Sequence, residues 1–203
     1  MVVEELAPSP LGADALARAS RAIVSELRRE ARRRMFASAL AVCVVFAAFV
    51  AFAQHRSPLR RDWALALALA AAAAGLGAAE RRWKVAVVPV AVLTTIAGAA
   101  LTGVTGALDA GMGFDCLATE VACAAAVVMG TWLAIRRGTS SLAAGSVAAG
   151  AASGAVAGAA ALQLTCAAHT SLPHFIAFHT GGVLLAAAAA SSVWGLARRA
   201  SRS

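Results

Sequence analysis

The sequence predicts an all-α, polytopic membrane protein with six transmembrane helices and both termini in the cytoplasm. Three observations carry that prediction. Of 203 residues, 61% are hydrophobic and 14% charged, against about 45–50% and about 25% in soluble domains. The apolar residues fall in long runs, each close to the ~20 residues that cross a bilayer, and mean hydropathy is +0.77. Short Arg clusters separate the runs. A soluble enzyme is excluded. The net charge of +8 lies in membrane-flanking clusters, where orientation and lipid headgroups account for it before nucleic acid does.

The spans are expected at about 35–54, 63–79, 85–105, 115–135, 141–165 and 173–197. The second is short and Ala-rich. The fifth carries Gly145, Gly150, Gly154 and Gly158, the last three spaced by four. Such a small-residue face lets helix backbones approach closely, so this helix is expected to bring the fourth and sixth spans together. Connections are brief and leave no room for a second folded domain. The chain therefore divides into a cytoplasmic segment 1–34, a bundle 35–197 and a basic tail 198–203.

Lys and Arg set the orientation. With the N-terminus inside, fifteen of the eighteen basic residues fall on the cytoplasmic side, and only Arg56, Arg60 and Arg61 fall outside. This is the pattern of a multi-pass protein of a bacterial inner membrane. Ala51-Phe52-Ala53 resembles a signal-peptidase site, but the polar region before the first span is far longer than a secretory n-region. The first span is therefore read as uncleaved.

In the N-terminal segment, Pro8, Pro10 and Gly12 are expected to keep the first dozen residues irregular. Asp14 is a candidate N-cap, after which Leu16, Ile23, Val24 and Leu27 recur at helical spacing. Arg18, Arg21, Arg28 and Arg29 lie on the opposite face. Three roles suit such a helix: lying on the inner leaflet, packing on its own bundle, or docking its apolar stripe in a partner's groove. Glu4, Glu5, Asp14, Glu26 and Glu30 weigh against a helix that binds only anionic lipid.

Cysteine and histidine gather at the periplasmic side. Cys43 is alone in the first span and reads as a small core residue. Cys116, Glu120 and Cys123 share a face of the fourth span at i, i+4 and i+7, Cys166 closes the fifth, His169 follows, and His174 and His179 open the sixth. An ionisable residue within a span is costly and faces a bundle interior, which makes Glu120 informative. Two chemistries are open for this group. Cys116 and Cys166 can form a disulfide, or Cys116, Cys123, Cys166, His169, His174, His179 and Glu120 can supply ligands to copper or zinc. No nucleophile–base pair or phosphate-cradling loop is present, so neither enzymatic activity nor a small-molecule substrate is expected.

The arrangement resembles the NrsF-type (negative regulator of SigF) membrane anti-sigma factors. The resemblance rests on the Cys near the start of span four, Arg136-Arg137-Gly138 leading into the Gly/Ala-rich helix, Cys166 at its end, and the Phe178-His179 pair in the last span. It implies that residues 1–34 hold an extracytoplasmic-function sigma factor at the membrane, with Leu16, Ile23, Val24, Leu27 and Arg28 in contact. It also implies that Cys116 and Cys166 sense a periplasmic metal or oxidant. Cys123, His169 and His174 are additions to the family's pattern. The competing readings are a small metal-handling or transport protein using the same cluster, and a structural bundle for which Cys116, Cys166 and Glu120 are dispensable.

Overall fold

The structure, a computed structural model, describes residues 10–52, 58, 60–78, 108, 110–136, 144–168 and 171–200. Among them every regular element is helical: α1 (Pro10–Phe52), α2 (Arg60–Ala78), α3 (Ala110–Ile135), α4 (Ala144–Thr165) and α5 (Leu172–Ala200). All five are long and apolar enough to cross a membrane. In hydrocarbon a spanning segment must satisfy its backbone internally, and a helix does so. The expected third span, 85–105, lies outside the described residues.

α1 starts at Pro10 and runs unbroken to Phe52. Of the irregular start expected from Pro8, Pro10 and Gly12, residues 1–9 lie outside the described residues, and from Pro10 onward that expectation and the Asp14 cap are corrected, since helix is already formed at Pro10. A proline in the first turn lacks only an N–H that has no intrahelical partner there, and its fixed φ suits the helix. α3 likewise begins five residues before the expected span, at Ala110, and its Gly113 lies against the Phe178 ring. Cys43 is also corrected. It lies on the outward surface of α1, and its neighbour Val42 is the residue that enters the core.

α4 is the centre of the bundle, packed by α1, α2, α3 and α5. In its most apolar stretch 89% of residues are buried, against 11–33% in the other four helices. The reason is size. A Cβ on Gly154 would stand 2.6 Å from the Ala124 Cα and 2.7 Å from the Cys123 carbonyl oxygen; one on Gly158 would stand 3.1 Å from the Glu120 Cα. Only glycine lets the two backbones meet this closely. Ala152, Ala155, Val156 and Ala160 fill the rest of the core with Val42, Leu69 and Val127.

The bundle has two distinct ends. Phe49, late in α1, packs against Cys116 and Cys166, near the start of α3 and just past the end of α4. Gly77, at the end of α2, meets Ser38 of α1 at the other end. The end of α2 and the start of α3 therefore lie at opposite ends of the bundle.

Because the α3–α4 contact admits no Cβ at Gly154, Gly154→Ala is expected to destabilise the protein by about 1–3 kcal/mol, the usual range for overpacking. Gly75 has nothing within 4 Å of a built Cβ, so Gly75→Ala should be neutral or slightly stabilising through helix propensity. Thermal unfolding in detergent micelles compares the two; equal melting temperatures would remove α3–α4 contact as the organising feature.

Candidate metal and thiol centre

The buried stripe of α3 runs Gly113, Cys116, Glu120, Cys123, Ala124, Val127, Thr131 and Ile135, the three- and four-residue spacing of one helical face. The approach at Gly158 sets the upper part of that stripe against the end of α4. There Cys166 follows Thr165, and its N–H donates to the Leu162 carbonyl at 2.8 Å. Two more backbone bonds fix the return: the Ser171 N–H to the Ala168 carbonyl and the Phe175 N–H to the Ser171 carbonyl, both 2.9 Å.

The histidines depend on an irregularity in α5. In an α-helix, residues five apart lie about 140° from each other around the axis. From Phe175 to Thr180 the chain is wound as a π-helix, whose i→i+5 bonding widens the turn and returns residue i+5 toward the face of residue i. The Gly181 N–H accordingly bonds to the Ile176 carbonyl. His174 and His179 thus come together, with ring centroids 5.5 Å apart, and both are fully buried. Phe175 packs on His179 at 4.6 Å and Phe178 on His174 at 5.2 Å, centroid to centroid.

The result is one buried group. Cys116 Sγ donates to Cys166 Sγ at 3.4 Å, Cys166 Sγ lies 3.6 Å from His174 Nε2, and one ligand atom each from Cys116, Cys166, His174 and His179 fall within 4.8 Å of one another. The thiols are not bonded to each other. Metal bonds of about 2.3 Å to sulfur and about 2.0–2.1 Å to nitrogen, at tetrahedral angles, place ligand atoms about 3.3–3.8 Å apart. The four donors fit a metal after small adjustments. The Cys166 thiol, just beyond the end of α4, is held below its ordinary pKa range, first by the hydrogen bond from Cys116 and then, against the effect of burial, by His179. Thiolate is the form that binds metal and reacts with oxidants.

Glu120 stands beside the group. Its Oε1 is 2.6 Å from His179 Nδ1, with both side chains fully buried. Gly182 of α5 makes the room, since a Cβ there would collide with the carboxylate at Oε2. Cys123 is buried against Gly158, about 10 Å along α3 from Cys116 by helix rise, and does not belong to the four-donor group. His169 lies outside the described residues. Leu16, Ile23, Val24 and Leu27 are exposed on α1, with Arg28 beside them.

Three contributors were not anticipated from the sequence. Met112 places Sδ 4.0 Å from Cys166 Sγ. Gly182 shapes the carboxylate's niche. The π-helical turn aligns the histidines, and its one visible trace is the five-residue spacing of His174 and His179, which an α-helical reading assigns to different faces.

A two-electron oxidant such as diamide is expected to join Cys116 to Cys166 within the chain. Under denaturing conditions the oxidised protein should then accept two maleimide–polyethylene glycol adducts where the reduced protein, with its four cysteines, accepts four. Cys116→Ser and Cys166→Ser should each keep all three of their remaining thiols. Loss of adducts at Cys43 or Cys123 instead would contradict the geometry. No family model, curated protein or solved structure matches the chain; what the site can do follows from its own chemistry.

Proposed function

We propose that the chain is a membrane-bound anti-sigma factor of a bacterial inner membrane. Its N-terminal segment holds an extracytoplasmic-function sigma factor, and the buried thiol–imidazole group releases that factor on meeting metal or oxidant from the periplasm. The observation that carries the sensing half is the convergence of Cys116, Cys166, His174 and His179 from α3, the end of α4 and α5. The sigma-factor half rests on the resemblance around Arg136-Arg137-Gly138, Cys166 and Phe178-His179, and is supported by the exposed stripe of Leu16, Ile23, Val24 and Leu27.

Chemistry at such a group changes packing. Gathering the four donors onto one centre ties three helices together, and joining the two sulfurs, with loss of two protons and two electrons to the oxidant, ties α3 to the end of α4. A switch from mostly holding to mostly releasing a partner needs about 5.5 kcal/mol of difference between the two arrangements. Complete structural zinc sites supply about 10–16 kcal/mol, so a fraction of that suffices. Complete burial of the donors, and the lack of any second cluster of three or more His, Cys, Asp or Glu ligands among the described residues, favour a sensor over a transport path.

The test is a mild-detergent pull-down of the tagged full-length protein, with and without copper or peroxide, partners being identified by mass spectrometry. A sigma factor is expected in the untreated sample and is lost on treatment. Leu16→Asp with Ile23→Asp should abolish capture. Cys116→Ser or Cys166→Ser should retain the sigma factor in every condition. Absence of any sigma factor from the untreated wild type would overturn the reading.

A further inference from the structure

The Glu120–His179 pair has a consequence for what the centre binds. With Nδ1–H donating to the Glu120 carboxylate at 2.6 Å, the imidazole lone pair lies on Nε2. That atom is buried with no partner at hydrogen-bonding geometry, and His179 shares with Cys116, Cys166 and His174 a group of ligand atoms within 4.8 Å of one another. A buried ring nitrogen without a partner costs free energy unless something else binds it. A carboxylate that holds one nitrogen of an imidazole while the other faces thiols is the arrangement that surrounds protein-bound zinc, where it fixes the tautomer and ring orientation and raises ligand basicity.

Charge narrows the choice of metal. Two thiolates, two neutral imidazoles and the buried Glu120 carboxylate beside them carry −3, which a divalent cation reduces to −1. A monovalent cation leaves −2, which the apolar bundle solvates less well still. Two sulfurs and two nitrogens, here within 4.8 Å of one another, are also a common donor set of zinc. Met112, with Sδ 4.0 Å from Cys166 Sγ, packs against the cluster that holds both cysteines.

We infer that Cys116, Cys166, His174 and His179 form a closed tetrahedral site for a divalent zinc-like cation, in which His179 ligates through Nε2 and Glu120 is the positioning residue that holds it there. This deepens the sensor reading, on whose site it rests, by naming the class of ligand. It also separates Glu120 from the ligands: the carboxylate acts through His179 and does not touch the metal. Gly182 belongs to the same device, because any side chain there displaces the carboxylate.

The experiment is titration of reduced, full-length protein in detergent with cobalt(II) alone, followed by visible and near-ultraviolet absorption, then competition with zinc(II). The wild type is expected to bind one cobalt with the intense ligand-field bands of tetrahedral geometry and charge-transfer absorption from two thiolates, and to exchange it for zinc. Glu120→Gln should keep the same bands but bind about 10–100-fold more weakly, the usual cost of removing such a partner. Gly182→Ala should weaken binding in the same direction, and the two changes together should do little more than either alone. His179→Ala should alter the bands themselves.

A Glu120→Gln protein whose cobalt affinity equals the wild type's would remove the positioning role, even with a lowered melting temperature. Changed bands in Glu120→Gln would make the carboxylate a direct ligand and overturn the assignment. A wild type that binds neither cobalt nor zinc, or binds copper(I) alone, would overturn the divalent site. Sigma-factor capture and its release by peroxide, measured on the same preparations, would still stand in that case, so failure of the metal site is distinguishable from failure of the regulatory reading.

Discussion

The backbone contact between α3 and α4 is the constraint on which the rest of the molecule depends. At Gly154 and Gly158 the helices approach until a single methyl would collide with main chain. In a bilayer the lipid tails offer no hydrophobic penalty to drive helices together, so close van der Waals packing must supply the association. The same approach fixes register. Glu120 and Cys123 are set opposite Gly158, and one turn beyond Glu120 Cys116 meets Cys166 where α4 ends. α2 and α5 complete the enclosure of α4 and leave it nearly without surface.

Within that frame the polar atoms follow a strict logic. An ionisable group in the membrane interior must be partnered or functional. Glu120 and His179 partner each other, but each has a second atom left over: Glu120 Oε2, in the niche beside Gly182, and His179 Nε2. His174 Nδ1 is likewise without a hydrogen bond. A cluster of two thiols and two imidazoles with unspent bonding capacity is an expensive way to build a core. Ala and Leu would pack the same volume without the desolvation cost. The expense is understandable if the unused atoms meet a ligand, and the π-helical turn supports that view, since it costs regular hydrogen bonding and recurs at functional sites.

Much of this was legible in the sequence because long apolar runs and ionisable residues among them are strong signals. The all-helical class and the role of the Gly150–Gly154–Gly158 face follow from run length and spacing, while the nearness of Cys116 to Cys166 follows from the expected convergence of the spans at one side of the membrane. Helix ends were less legible. Pro10 reads as a breaker, yet a first-turn proline loses no bond. The division of labour in the cluster was not legible at all. Spacing put Glu120, Cys123 and Cys116 on one face without saying which cysteine would meet Cys166, or that the carboxylate would face an imidazole and not the thiols. Periodicity assumes one helical repeat, so it cannot foresee a π turn that moves His179 onto the face of His174.

How the centre can act on a distant partner depends on α1. From Ala13 to Phe52 its sequence holds neither glycine nor proline, so nothing in it invites a kink. Phe49 rests against Cys116 and Cys166; Leu16 lies thirty-three residues earlier on the same helix, about 50 Å away at 1.5 Å per residue. Under the proposed reading this helix is both the wall of the sensor and the arm that carries the sigma-binding stripe. A repacking at the cysteines that tilts Phe49 by a small amount is conveyed as a lever, with no chain of intermediate contacts required. The same rigidity explains why the stripe is exposed along its length. An arm that must present Leu16, Ile23 and Leu27 to a partner cannot fold them back onto its own bundle, and a helix without a hinge does not.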